Sequence, residues 1–219
     1  MSSDTKLPVL KLLPRACYAD VDRGNPIRFY YWPLLGAMYR RRVELCLAEL
    51  RGGHRILEVG FGSGVTFLNL SESYDEIHGL DLTAPVETVV ATFASTQIEP
   101  HLQNGNVQDM PYDDGFFDTV LLISILEHLE PHQLGRAFEE IHRVLKRGGQ
   151  VVYGVPMERP LMTLAFRLLG YNIRKHHFSN EREIAAAASK ILQMKKVVQM
   201  PGIPSVFGPV YAVRHFIKK

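Results

Sequence analysis

Residues 54–70 read HRILEVGFGSGVTFLNL, and no other stretch of the chain restricts its fold as tightly. An apolar run carries one carboxylate, Glu58. A loop follows in which Gly60, Gly62 and Gly64 alternate with Phe61 and Ser63, before a second apolar segment begins. Glycines at such a junction permit positive φ and let the backbone approach a ligand with no Cβ in the way. The dinucleotide fingerprint places its third glycine three residues after the second. That position here is Val65. The loop is therefore either a packing turn or the seat of a ligand without pyrophosphate.

The rest of the chain repeats the strand–loop–helix rhythm. RILEVG is a first strand, with a helix through VTFLNLSES. EIHGLDLT (76–83) is a second strand, followed by a helix near 84–96, and HLQNGNVQD (101–109) carries a short third strand. FDTVLLISIL (117–126) is almost continuously apolar, as expected of a strand buried on both faces. PHQLGRAFEEIHRVLK places Leu134, Phe138, Ile141 and Leu145 on one helical face with Gly148 as its stop, and GQVVYGVP (149–156) is a fifth strand. Alternation of this kind predicts a parallel sheet covered by helices on both faces.

The flanks differ. Pro8, Pro14, Gly24 and Pro26 break residues 1–26, and 34–50 form an amphipathic helix whose Arg40–Arg42 run sits largely outside the apolar stripe. After the fifth strand, 161–171 and 180–192 read as helices. MKKVVQM (194–200) and VYAVRHFIKK (210–219) have no helix between them and predict an antiparallel hairpin. The expected organisation is one domain: an N-terminal extension and helix (1–50), a core (54–156), and a substrate-lid segment with the hairpin (157–219).

Composition bounds the function classes. At 219 residues, 46% hydrophobic and 22% charged, the chain has the make-up of a globular domain that needs no staples. A net charge of +2 gives no electrostatic footprint for nucleic acid. Cys17 and Cys46 lie in no metal-ligand spacing and read as reduced thiols. The N-terminus has no signal-peptide pattern and no stretch reaches the roughly 18 apolar residues of a membrane span, so a cytoplasmic location is expected.

Ligands of open α/β sheets sit beyond the carboxyl ends of the strands. The first such end is the glycine loop. The second is Asp81, a carboxylate able to accept from a ribose diol, and the third lies near Asp109-Met110, suited to an adenine amino group and ring face. Each has a plainer reading as a tight turn, helix cap or turn former; three successive strand ends with nucleoside-suited groups favour a ligand site.

LEVGFGSG, GLDLT, GNVQDMPYDDGFFDTVLLISILEHL and VLKRGGQVVYGVP together resemble the class I S-adenosylmethionine-dependent methyltransferases, with a pattern similar to the small-molecule, ubiquinone-biosynthesis branch. The resemblance covers about Ile56 to Pro156. It implies an α/β three-layer sandwich: a mostly parallel seven-stranded sheet with an antiparallel C-terminal hairpin. It also implies S-adenosylmethionine as cofactor. Glu58 would order the loop near the methionine end, and Gly60, Phe61, Gly62 and Gly64 would pass beneath the cofactor. Asp81 and Leu82 would lie at the ribose, Gln108, Asp109 and Met110 around the adenine, and Ser124 and Ile125 on the floor near the sulfonium. Because S-adenosylmethionine has no phosphate, Val65 in place of a glycine is consistent with it.

His128 is the candidate base, with packing or capping of the following helix as its plainer role. LEH (126–128) resembles the ubiquinone-biosynthesis branch, and small-RNA methyltransferases, where a Glu-x-x-Glu-His run can hold a divalent metal. Here Ser124 replaces the first glutamate and leaves Glu127 and His128, so no metal is expected. Substrate candidates are Tyr30, Tyr31 and Trp32, which either wall a pocket or pack on the sheet, and His176 and His177, the latter pair also candidates for the base. Residues 161–177 combine apolar and basic character, which suits either a solvated lid or contact with a membrane surface. The function expected is methyl transfer to oxygen, nitrogen or carbon of a small molecule. A protein or nucleic-acid acceptor, or a silent cofactor-binding protein, are the alternatives; the lack of an Asn-Pro-Pro-Tyr type tetrad after the fourth strand removes the usual mark of planar-amine methylation. The sequence leaves the oligomeric state open.

Overall fold

The computed structural model describes residues 7–21, 27–33, 35–157, 177–202 and 208–219. Seven strands form one sheet: β1 (Gly53–Val59), β2 (Tyr74–Asp81), β3 (His101–Asn104), β4 (Phe117–Ile123), β5 (Leu145–Pro156), β6 (Gln193–Pro201) and β7 (Pro209–Ile217). Their order is β3-β2-β1-β4-β5-β7-β6. The first five pair in parallel, whereas β7 runs antiparallel to both β5 and β6. The expected hairpin thus exists, and its second strand, not its first, joins the sheet.

Side chains on a strand alternate between faces, and here both faces are buried. Ile56 and Leu121 belong to one apolar cluster with Val43, Cys46, Phe67 and Phe93. Their neighbours Leu57, Val120 and Leu122 belong to the other, with Phe138, Ile141 and Ile184. The first layer comes from α1 (Ile27–Tyr30), α2 (Leu35–Leu47), α3 (Phe67–Leu70) and α4 (Val86–Phe93); the second comes from α5 (Pro131–Val144) and α6 (Glu181–Ile191). This is the three-layer sandwich the sequence predicts.

Local chemistry sets the helix ends. Glu130 and Gln133 close a capping box ahead of Pro131, and the Asn180 side chain accepts from the Arg182 and Glu183 amides. Three expected elements change length. The helix after the glycine loop shrinks to Phe67–Leu70, and the third strand ends at Asn104. α5 stops at Val144 rather than at Gly148, because Leu145 pairs with Phe117 and draws the chain into β5. The 161–171 helix falls outside the described residues. No helix among the described residues is long and apolar enough to cross a membrane.

Candidate active site

The strand order reverses between β1 and β4, and at such a switch point a crevice opens beyond the carboxyl ends of the strands. A cavity of about 480 Å³ occupies this place, within the range of small-molecule and cofactor sites.

The glycine loop forms one wall. Gly60, Gly62 and Gly64 have φ of 74°, 52° and 69°, a region costly for any residue with a Cβ. A Cβ on Gly60 would also collide with the Ile125 side chain. Two bonds fix the loop: Gly60 N–H donates to the Leu80 carbonyl at 2.7 Å, and Gly62 N–H to Asp81 Oδ2 at 3.0 Å. Asp81 Oδ1 accepts from the Thr83 and Ala84 amides at 2.9 Å each. A carboxylate has about four lone-pair sites, so backbone donors occupy most of this one. Asp81 is thus a loop organiser with room for about one further donor.

Glu58 is 3% exposed and accepts from the Thr66 hydroxyl. Burial pushes its carboxyl up to about 8, the Asp81 charge adding to the rise and the Thr66 bond opposing it. It is a neutral acid at pH 7 while nothing cationic lies beside it. Ser63, 4% exposed, also lines the cavity, and its hydroxyl has no hydrogen-bond partner among the described residues.

The opposite wall comes from α1, α2 and the turn after β4. Tyr30, Tyr39 and Arg42 line it. The Arg42 guanidinium lies 4.3 Å from the Tyr39 ring centroid, and among the described residues it forms no ion pair. Leu126–His128 is a single 3₁₀ turn. Glu127 in it is 2% exposed, and its Oε2 lacks a partner among the described residues. Burial raises this carboxyl to about 8 as well. The Glu127 carbonyl accepts from Phe178 N–H at 2.8 Å and Ser179 N–H at 3.3 Å, which moors His177 at the cavity. The His128 and His177 rings are 5.5 Å apart in an edge-to-face arrangement.

Glu127, His128 and His177 bring donor atoms within 4.8 Å of one another. The sequence reading counted two such donors; the fold adds a third from beyond β5. Two imidazoles and a carboxylate could hold a transition-metal ion more readily than magnesium or calcium. Without an ion, the same cluster suits proton transfer.

The structure brings Glu58, Gly60, Phe61, Gly62, Asp81, Ser124, Ile125, His128, Tyr30 and His177 to one cavity. Other candidates stand outside its described lining. Leu82 is 69% exposed, Met110 is buried in the core, and Gln108 and Asp109 sit in the turn after β3, where Asn106 and Asp109 form a bridge. Gly64 packs against Phe67 and Phe93. The Tyr31 hydroxyl donates to the Leu13 carbonyl, and Trp32 stands edge-on to Phe29. His176 lies outside the described residues. Sequence reasoning missed Arg42 and Tyr39. Their only signal was position one turn before Cys46 and Val43, at the edge of the apolar stripe.

Residues 57–153 match a family model described as a methyltransferase domain. An uncharacterized methyltransferase of Bacillus subtilis, YcgJ, is 31% identical over 105 residues, covering 47% of this chain and 41% of its own. A ubiquinone biosynthesis O-methyltransferase of Alkalilimnicola ehrlichii is 28% identical over 148 residues, covering 67% and 54%. The chain thus spans about half or less of the length of these relatives. The crystal structure of N-methyltransferase NodS from Bradyrhizobium japonicum with S-adenosyl-L-homocysteine superposes with a TM-score of 0.67 at 17% identity, covering 92% of this chain and 98% of that one.

The ligand-suited features fit that family's cofactor. The loop leaves no room for Cβ atoms, and two orphaned polar atoms face one cavity with a carboxylate at the end of β2. Residues 57–153 thus match a methyltransferase domain, and the sheet order and the cavity support a class I S-adenosylmethionine-dependent methyltransferase.

Proposed function

We propose that the chain transfers a methyl group from S-adenosylmethionine to a small molecule held in the same cavity, at an oxygen, nitrogen or carbon atom. One observation carries the reading: a single cavity of about 480 Å³ has a cofactor wall on β1 and β2 and a second, aromatic and basic wall facing it. A space of that size suits a small acceptor rather than a folded macromolecule. The name of the ubiquinone-biosynthesis relative agrees with this class.

When bound, the cofactor supplies an electrophilic methyl group on a sulfonium. The chain's residues do the rest. Gly60–Ser63 and Asp81 hold the nucleoside side, the buried Glu58 carboxyl faces the amino-acid side, and Arg42 offers its charge to a carboxylate. Ser124 and Ile125 form the floor. Tyr30, Tyr39 and Phe61 exclude water, and holding reactants in line is worth about 7–11 kcal/mol of barrier. His128, paired with His177, accepts a proton where the acceptor atom carries one. The reading needs no metal.

Thermal unfolding with S-adenosylhomocysteine and, separately, with NAD tests the first step. A ligand at about 100 times its dissociation constant stabilises by roughly 2.7 kcal/mol, and each kcal/mol moves the midpoint of a chain this size by roughly 2–4 °C. Stabilisation by the first ligand alone is expected. A larger shift with NAD would sink the assignment. Turnover across a panel of phenols, amines and carboxylic acids, before and after chelation, then separates enzyme from silent binder and metal-free from metal-dependent transfer.

A further inference from the structure

Among the described residues, Ser124 is the one non-glycine with positive φ, at 58°. Such a conformation is strained for a residue with a Cβ and persists only where its surroundings enforce it. Ser124 directly follows β4 and lines the cavity. Two bonds hold it: its N–H donates to the Gly154 carbonyl at 2.8 Å, and its hydroxyl lies 3.0 Å from that of Tyr211.

Tyr211 belongs to β7, the antiparallel strand, and pairs with Pro156 at the end of β5. It is 1% exposed, under the guanidinium of Arg42 and beside Cys46. The sheet is shaped to admit it. A Cβ at Gly154 would lie 2.6 Å from the Tyr211 ring and hydroxyl and 2.7 Å from Cys46 Sγ, so only glycine there leaves space for a tyrosine that reaches Ser124. The residue after Ser124 is Ile125, whose side chain fills the space beside the Gly60 α-carbon. A continuous line of contacts runs from β7 through Ser124 and Ile125 to the glycine loop.

We propose that Tyr211 is a positioning residue for the cofactor site: its hydroxyl pins Ser124 in the left-handed conformation and thereby fixes Ile125 against the glycine loop. The assignment rests on the reading of Ser124 and Ile125 as the cofactor floor. Loss of the pin lets Ser124 relax toward an ordinary backbone, and Ile125 leaves Gly60. Glycine at 124 needs no pin, because it adopts positive φ without the steric cost.

Calorimetric titration with S-adenosylhomocysteine tests this without an acceptor. Tyr211→Phe should weaken affinity about tenfold relative to wild type, and Ser124→Ala, which removes the same bond, should do likewise. In the Ser124→Gly background Tyr211→Phe should change affinity by less than about twofold; in the Ser124→Ala background affinity should stay low. Urea unfolding of each protein runs alongside. A tyrosine that merely fills the core would cost stability equally in every background, with no rescue at 124. Full affinity in Tyr211→Phe, or a Tyr211→Phe/Ser124→Gly protein as weak as Tyr211→Phe alone, overturns the proposal. Wild-type protein that fails to bind overturns the floor assignment as well, a result distinct from either.

Discussion

Glu58 and Glu127 face the same cavity from opposite walls, both buried and both raised to about 8. Their surroundings differ. Glu58 accepts from Thr66 within the glycine loop and lies near Asp81, whose oxygens are held by three backbone amides. Glu127 has an oxygen without a partner among the described residues, beside two imidazoles and near Arg42. The glycine-loop wall is held largely by its own hydrogen bonds, with the Ser63 hydroxyl the exception. The acceptor wall keeps polar capacity in reserve, and a group of that kind is satisfied by what binds.

Four experiments break or sharpen this contrast. The largest effect falls on the acceptor wall: His128→Ala should lower kcat roughly 10²–10⁴-fold for an O–H acceptor while S-adenosylhomocysteine affinity holds within about twofold. Unchanged turnover would leave His128 a structural residue. On the cofactor wall Asp81→Ala should weaken S-adenosylhomocysteine about 10–100-fold by titration, since hydrogen bonds to charged groups contribute about 1.5–3 kcal/mol; intact affinity would refute the ribose role. Arg42→Ala should cost about tenfold in the same titration, and no loss would move Arg42 from the cofactor to the acceptor.

The smallest effect is on stability. Both buried glutamates have folded pKa values above the unfolded carboxylate range of about 4.3, so the fold favours their protonated form. That contribution is complete below about pH 4 and is lost as pH rises toward 8. Glu127→Gln has no proton to lose. Its melting temperature relative to wild type should therefore climb by a few degrees between pH 5 and pH 8. A pH-independent difference would mean that Glu127 is ionised throughout and already paired.

The glycine-loop wall of the cavity is legible in the sequence because it is local, whereas Leu82, Gln108, Asp109 and Met110 lie outside the described lining. Gly60 and Gly62 sit two residues apart, and Glu58, Asp81 and Ser124 stand at or next to strand ends that hydrophobic runs already mark. The opposite wall is assembled across the chain, from Tyr30, Arg42, His128 and His177, and no periodicity links such positions. In the sequence Arg42 reads with Arg40 and Arg41 as one charge run; the helix turns each to a different direction, and Arg40 instead donates to the Tyr30 carbonyl. Tyr211 carried no signal at all, since its role depends on β7 lying beside β5.

The mooring of His177 has a consequence for how such a protein can be altered. Residue 157 is tied to β7 by the bond from Met157 N–H to the Val210 carbonyl, and residue 178 is tied to the β4 turn through Glu127. Both tethers are main-chain bonds and so are indifferent to side-chain identity. Substitutions of the Met157 and Phe178 side chains should therefore leave both main-chain anchors in place.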